Sequence, residues 1–106
     1  QFVNLWMALN QKNYLLYKQG NNEEKYLLLH SIITGNILSF YKGIGYNSDL
    51  PVLVQLKSYE KSTQFKGKRM IAFSGEFTAN VLLPNYIGLG KSVARGFGTI
   101  EKYKHF

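Results

Sequence analysis

Apolar and polar positions along the chain change their period several times, and each change marks an element. Phe2, Val3, Leu5, Trp6, Met7 and Leu9 form a nearly continuous apolar run of strand length, the pattern of an interior strand. Asn10-Gln11-Lys12-Asn13 offers turn and cap residues, Tyr14 to Lys18 fits a helical turn, and Gly20-Asn21-Asn22 breaks it. From Asn22, read as an N-cap with Glu23 and Glu24 in the first turn, Leu29, Ile32, Ile33, Asn36, Ile37, Phe40, Tyr41 and Ile44 recur at helical spacing. This predicts one long helix with a core-facing stripe, ended by Gly43, Gly45, Asn47-Ser48-Asp49 and Pro51. Gly35 inside it costs about 1 kcal/mol relative to alanine, so its presence predicts close approach by another backbone.

The second half reads as strands. Val52 to Tyr59 alternates, with Val52, Val54 and Leu56 on one face, and Lys68 to Phe77 returns with Ile71, Phe73 and Phe77 on one face. Glu60 to Gly67 is the polar turn between them, so the hairpin tip holds Lys61, Lys66, Lys68 and Arg69. Asn80 to Tyr86 is a short connection or helical turn broken by Pro84, and Phe97 to Tyr103 supplies a last strand. The order strand, helix, strand, strand, short segment, strand is that of an α+β, ferredoxin-like (RRM-like) split βαβ domain with a degenerate second helix.

The stretch before that last strand is the most patterned in the chain. Gly88 and Gly90 form one Gly-x-Gly pair, Gly96 and Gly98 another, and the insert between them carries Lys91 and Arg95. A dinucleotide-binding loop fails here, because its third glycine would fall on Val93. Gly90-Lys91-Ser92 matches the end of a Walker phosphate loop, but the first glycine of that motif would fall on Asn85. An ordinary glycine-rich hairpin loop is the plainest alternative.

Gly-apolar-Gly, five residues, Gly-aromatic-Gly and an apolar exit resembles the glycine-rich loop of the RAMP superfamily of CRISPR proteins. Together with Phe73-Ser74-Gly75-Glu76-Phe77, Leu83-Pro84 and Thr34-Gly35-Asn36-Ile37-Leu38-Ser39, it looks most like the C-terminal half of the CRISPR repeat-processing endoribonuclease family. The resemblance spans roughly residues 27 to 102. It implies the same ferredoxin-like fold, one domain over residues 1–106, and an N-terminal ferredoxin-like domain in a longer two-domain protein. It also implies metal-independent cleavage of precursor CRISPR RNA within its repeats, leaving a 2′,3′-cyclic phosphate. CRISPR repeat RNA is then the expected partner, with other CRISPR-associated proteins beside it.

Charge agrees with a polyanion partner. Thirteen Lys and Arg against six Asp and Glu leave a formal charge of +7 on 106 residues. With 45% hydrophobic and 15% aromatic residues the chain is a packing sequence, not a disordered one. It has no cysteine, no apolar run long enough to span a membrane and no signal-peptide pattern, so a cytoplasmic location is expected.

Candidate chemistry is sparse. The two histidines and six carboxylates show no metal-ligand spacing, and neither a metal nor a cofactor is expected. Metal-free RNA cleavage needs a general base, a general acid and cations for the phosphorane. His30, a tyrosine and a lysine could fill these roles, which leaves the identity of the base open; His30 is the candidate catalytic residue, although its place beside the helical seam better suits a boundary histidine holding a hydrogen bond. In the family that the chain resembles, the catalytic histidine most often belongs to the N-terminal domain; His105 falls in the tail. Expected RNA contacts are Gly88, Gly90, Lys91, Arg95, Gly96 and Gly98 in the loop, and Lys66, Lys68 and Arg69 in the hairpin. Tyr59, Tyr86 and Tyr103 are the surface tyrosines placed to stack unpaired bases. A non-catalytic RNA-binding or assembly subunit of a CRISPR effector complex remains open beside the endoribonuclease.

Overall fold

The computed structural model describes residues 1–45 and 51–102. Asn47-Ser48-Asp49, Tyr103 and His105, named above, lie outside them. Helix α1 (Gln11–Gln19) starts at Asn10, whose side chain accepts from the Asn13 backbone N–H at 2.8 Å. The helical turn expected at Tyr14 to Lys18 is therefore a nine-residue helix, since the polar Asn10 to Asn13 stretch serves as its cap and first turn. Helix α2 (Asn22–Gly43) is capped by Asn21, one residue earlier than expected, in a reciprocal box with Glu24.

Strands β1 (Val54–Phe65) and β2 (Lys68–Ala79) form an antiparallel hairpin with Val54 opposite Ala79 and Phe65 opposite Lys68. The ladder runs through the stretch expected to be a turn, leaving only Lys66 and Gly67 at the tip. Both have positive φ, 54° and 74°, the geometry of a two-residue turn whose twist matches its strands. Residues 1–9 run extended between β2 and the chain's end, bonded at Trp6 to Phe73 in both directions and at Val3 to the Thr99 carbonyl. This is the interior strand expected from the apolar run, but its pairing is intermittent: bridges form at Phe2 and Trp6 only. The last segment likewise pairs at Thr99 and Ile100 without a continuous ladder. A single 3-10 turn, Val93–Arg95, stands where a second ferredoxin helix would lie.

The α2 stripe packs as its spacing requires. Leu29, Ile33 and Ile37 are buried against Val54, Leu56 and Phe73, with Ile32, Phe40 and Tyr41 partly buried around them; Ile44 is exposed at the helix end. Trp6, 0% exposed, is the centre of an aromatic cluster, stacked on Phe2 at 5.2 Å and tilted against Phe73 at 6.0 Å. Its indole N–H donates to Asn36 Oδ1 at 3.0 Å, which explains a polar residue on the helix seam. Gly35 is a correction: it is exposed, and a Cβ there would meet nothing within 4 Å, so no backbone approaches it. No helix of the described residues is long and apolar enough to cross a membrane.

Two glycines give opposite expectations. Gly35→Ala adds about 0.5 to 1 kcal/mol of stability, because it restricts the unfolded chain without a clash. Gly90→Ala places a methyl 2.8 Å from the Met7 carbonyl oxygen and Trp6 Nε1, at a φ of +90°, and costs more than about 2 kcal/mol. Urea unfolding of the two variants, with midpoints shifted in opposite directions, checks both.

Candidate nucleic-acid interface

The glycine stretch is held from inside. Leu89 is buried and its N–H bonds the Gly98 carbonyl at 3.0 Å, so the two Gly-x-Gly pairs face each other as the legs of an arch. At Gly98, φ +75°, a side chain would overlap the Leu89 carbonyl. At Gly90 it would strike Trp6 and Met7. These glycines admit the protein's own backbone. At Gly88 a Cβ would press on Val93, while Gly96 faces open space at φ +91°. Between the legs the Lys91 N–H bonds the Met7 carbonyl, Ser92 takes a left-handed φ of 60°, and the side chains of Lys91 and Arg95 are exposed.

The arch and the hairpin tip meet at Phe65. The Phe65 and Phe97 rings pack edge to face, with centroids 5.5 Å apart. The Arg95 guanidinium lies 5.7 Å from the Phe65 ring and the Lys66 ammonium 5.4 Å from it. Two cations expected from the sequence, separated by some thirty positions, thus share one aromatic ring. Lys68, directly across from Phe65, is on the same face of the hairpin; Arg69 pairs with Gln64 and turns to the opposite face. Lys61 lies on the Phe65 face, further from the tip. Phe65 and Phe97 were missed as site residues; an aromatic immediately before Lys66-Gly67 in a polar strand was the available signal.

A second anchor sets the hairpin's angle. The buried Tyr17 hydroxyl donates to Glu60 Oε1 at 2.5 Å, its ring packs edge-on to Phe73, and the Lys25 ammonium lies 4.9 Å from that ring.

His30 stands apart from these cations. Its Nε2 lies 2.7 Å from the Val54 carbonyl oxygen, so Nε2 carries the proton and donates at the base of β1. With 12 residues in β1 at about 3.3 Å each, the tip is on the order of 30 Å away. Tyr26 flanks it, ring to ring at 6.0 Å. Among the described residues no three His, Asp or Glu side chains converge as ligands would.

These features define an α+β domain of ferredoxin-like type whose glycine arch and hairpin tip present clustered cations. Residues 1–103 match the Cas6b C-terminal domain, and the chain belongs to that family. It is similar to two crystal structures, one of Cas6b and one of the CRISPR RNA processing endoribonuclease Cas6b. Each is 40% identical and covers 93% of this chain, with TM-scores of 0.90 and 0.91. The chain spans 51% of either, about half the length of these solved relatives. An uncharacterized protein of Methanocaldococcus jannaschii, MJ0978, is 42% identical over 101 residues, which are 94% of this chain and 69% of that protein.

The Tyr17 anchor has a pH signature. Burial first, then the hydrogen bond and charge of Glu60, raise the Tyr17 hydroxyl above the ordinary phenol value of 10. The folded state keeps this proton where the unfolded state releases it, so the contribution is intact below pH 10 and is lost as pH rises further. Tyr17→Phe is expected to cost about 1 kcal/mol at pH 7 and to flatten the alkaline fall in unfolding free energy; an unchanged alkaline slope would remove Tyr17 as its source.

Proposed function

We propose that this chain is the RNA-binding half of a CRISPR repeat endoribonuclease, holding precursor CRISPR RNA while the full protein cleaves within the repeat without a metal. The observation that carries the reading is the meeting of Arg95 and Lys66 over Phe65. It makes the glycine arch and the hairpin tip one cationic surface instead of two. Membership in the Cas6b C-terminal domain family, and likeness to structures named as CRISPR RNA processing endoribonucleases, support the same activity.

In this reading Lys91, Arg95, Lys66 and Lys68 take phosphates of the repeat, displacing its counterions. Gly96, with open space where a side chain would be, is where the RNA backbone comes closest to the arch. Gly88, Gly90 and Gly98 act one step back, by setting the height of the arch over Met7 and Trp6. Arg69, on the other face of the tip, holds a flanking phosphate. His30 acts as a latch between α2 and β1, and the general base comes from the part of the protein outside this chain.

Lys91→Ala with Arg95→Ala is expected to weaken repeat-RNA binding across sequences and to lower the slope of log affinity against log salt by about two. Filter binding at several salt concentrations measures both; an unchanged slope removes the arch from the interface. His30→Ala in the full-length protein is expected to cost about 1 kcal/mol of stability while leaving the single-turnover cleavage rate unchanged. A loss of several orders of magnitude in that rate would instead make His30 the base.

A further inference from the structure

The face of β1 that carries Phe65 continues away from the tip as Lys61, Tyr59 and Lys57, because alternate residues of a strand share a face. All three are exposed, Tyr59 by 60%. Their cross-strand neighbours shape the surface. Wholly buried Ala72 lies opposite Lys61, and partly buried Ser74, a small residue, opposite Tyr59; Glu76, opposite Lys57, is the one carboxylate in the row. At the strand's free edge Tyr26 of α2, 44% exposed, approaches the same spot. Tyr26, Tyr59, Lys57 and Asn22 line one cavity of about 350 Å³. That volume is at the small end of ligand sites, and the depression is open to solvent.

We infer that the cavity between Tyr26 and Tyr59 takes an unpaired nucleotide of RNA, one that flanks the segment held at the hairpin tip. This rests on the RNA reading above and extends it by a site that the arch does not include. Both rings supply π-faces, which bind any base by stacking, and Asn22 offers donors and acceptors to a base edge. Lys57 and Lys61 flank Tyr59 at about 6.7 Å on either side, two residues of strand rise, which suits consecutive phosphates of an extended single strand. The row leads along β1 to Phe65, Lys66 and Arg95, so one strand of RNA can follow cations and aromatics from the cavity to the tip. A paired stem cannot use the cavity, because its bases are already stacked on each other.

The test uses the full-length protein and two labelled RNAs: a repeat segment alone, and the same segment with an eight-nucleotide oligouridine flank. Tyr59→Ala is expected to bind the flanked RNA about 5- to 100-fold more weakly than the parent protein, the range set by losing one base–aromatic stack. It binds the unflanked RNA equally well, and Tyr59→Phe, which keeps the ring, recovers the flanked affinity to within about twofold. A 4-thiouridine in the flank crosslinks to the segment carrying Tyr59 or Tyr26. Equal affinities of Tyr59→Ala and the parent for the flanked RNA overturn the proposal. So does protection of Tyr59 from chemical modification in the absence of RNA, which assigns this face to a protein contact. Failure of the arch reading looks different: Lys91→Ala with Arg95→Ala then leaves both RNAs bound normally, whatever Tyr59 does.

Discussion

Trp6 is the residue on which the rest of the structure rests. Its indole ring is wholly buried between Phe2 and Phe73, its N–H is satisfied by Asn36, and its edge supports Gly90. Three parts of the chain far apart in sequence therefore take their positions from one side chain: the extended N-terminal segment, the long helix and the glycine arch. A buried indole donor must find a partner, and a glycine must lie above the ring, because any Cβ there would strike it. Packing and polar satisfaction select the same arrangement.

The arch follows from this constraint. Loops rich in glycine are commonly read as open and mobile, yet here the glycines at 90 and 98 exist because the protein's own backbone crowds them. What faces outward is the insert between the pairs, carrying Lys91 and Arg95. Its position is shared with the hairpin tip through the Phe65 and Phe97 rings, and the hairpin's own direction is held further back by Tyr17 on Glu60. A cationic surface assembled from two loops is thus tied to the core at each end. Charged groups held in place lose less conformational entropy when they meet a phosphate.

Much of this was legible in the sequence where period and burial coincide. The α2 stripe from Leu29 to Tyr41, the alternation at Val54 and Leu56, and the α+β class are present as read, while the run at Phe2 to Leu9 is extended in the expected place but bridges its neighbours only at Phe2 and Trp6. The misses share a physical cause. β1 runs on to Phe65 through residues too polar to signal a strand, because that half of the hairpin packs little and its ladder bonds do not depend on side-chain polarity. Asn21 was a breaker by composition and proved to be the cap of α2 in place of Asn22, a shift of one residue at a helix end. Gly35 suggested a close contact that is absent, since a helix tolerates one glycine without needing it. Of the candidate site, the cations were visible individually, but the ring that gathers Arg95 and Lys66 was not, because nothing local links Phe65 to Phe97.

The two-residue tip of the hairpin has one more consequence. Lys66 and Gly67 both occupy left-handed conformations, and a primed turn of this kind fixes the twist of the strands that leave it. The faces of β1 and β2 are fixed at their base, where Val54, Leu56 and Phe73 are buried, so the turn has to close the hairpin on Phe65 and Lys68. A third residue at the tip would be taken up as a bulge that leaves Phe65 on its face but carries the Lys66 ammonium off the Phe65 ring. The brevity of the turn is therefore what keeps one of the two cations seated on the aromatic ring.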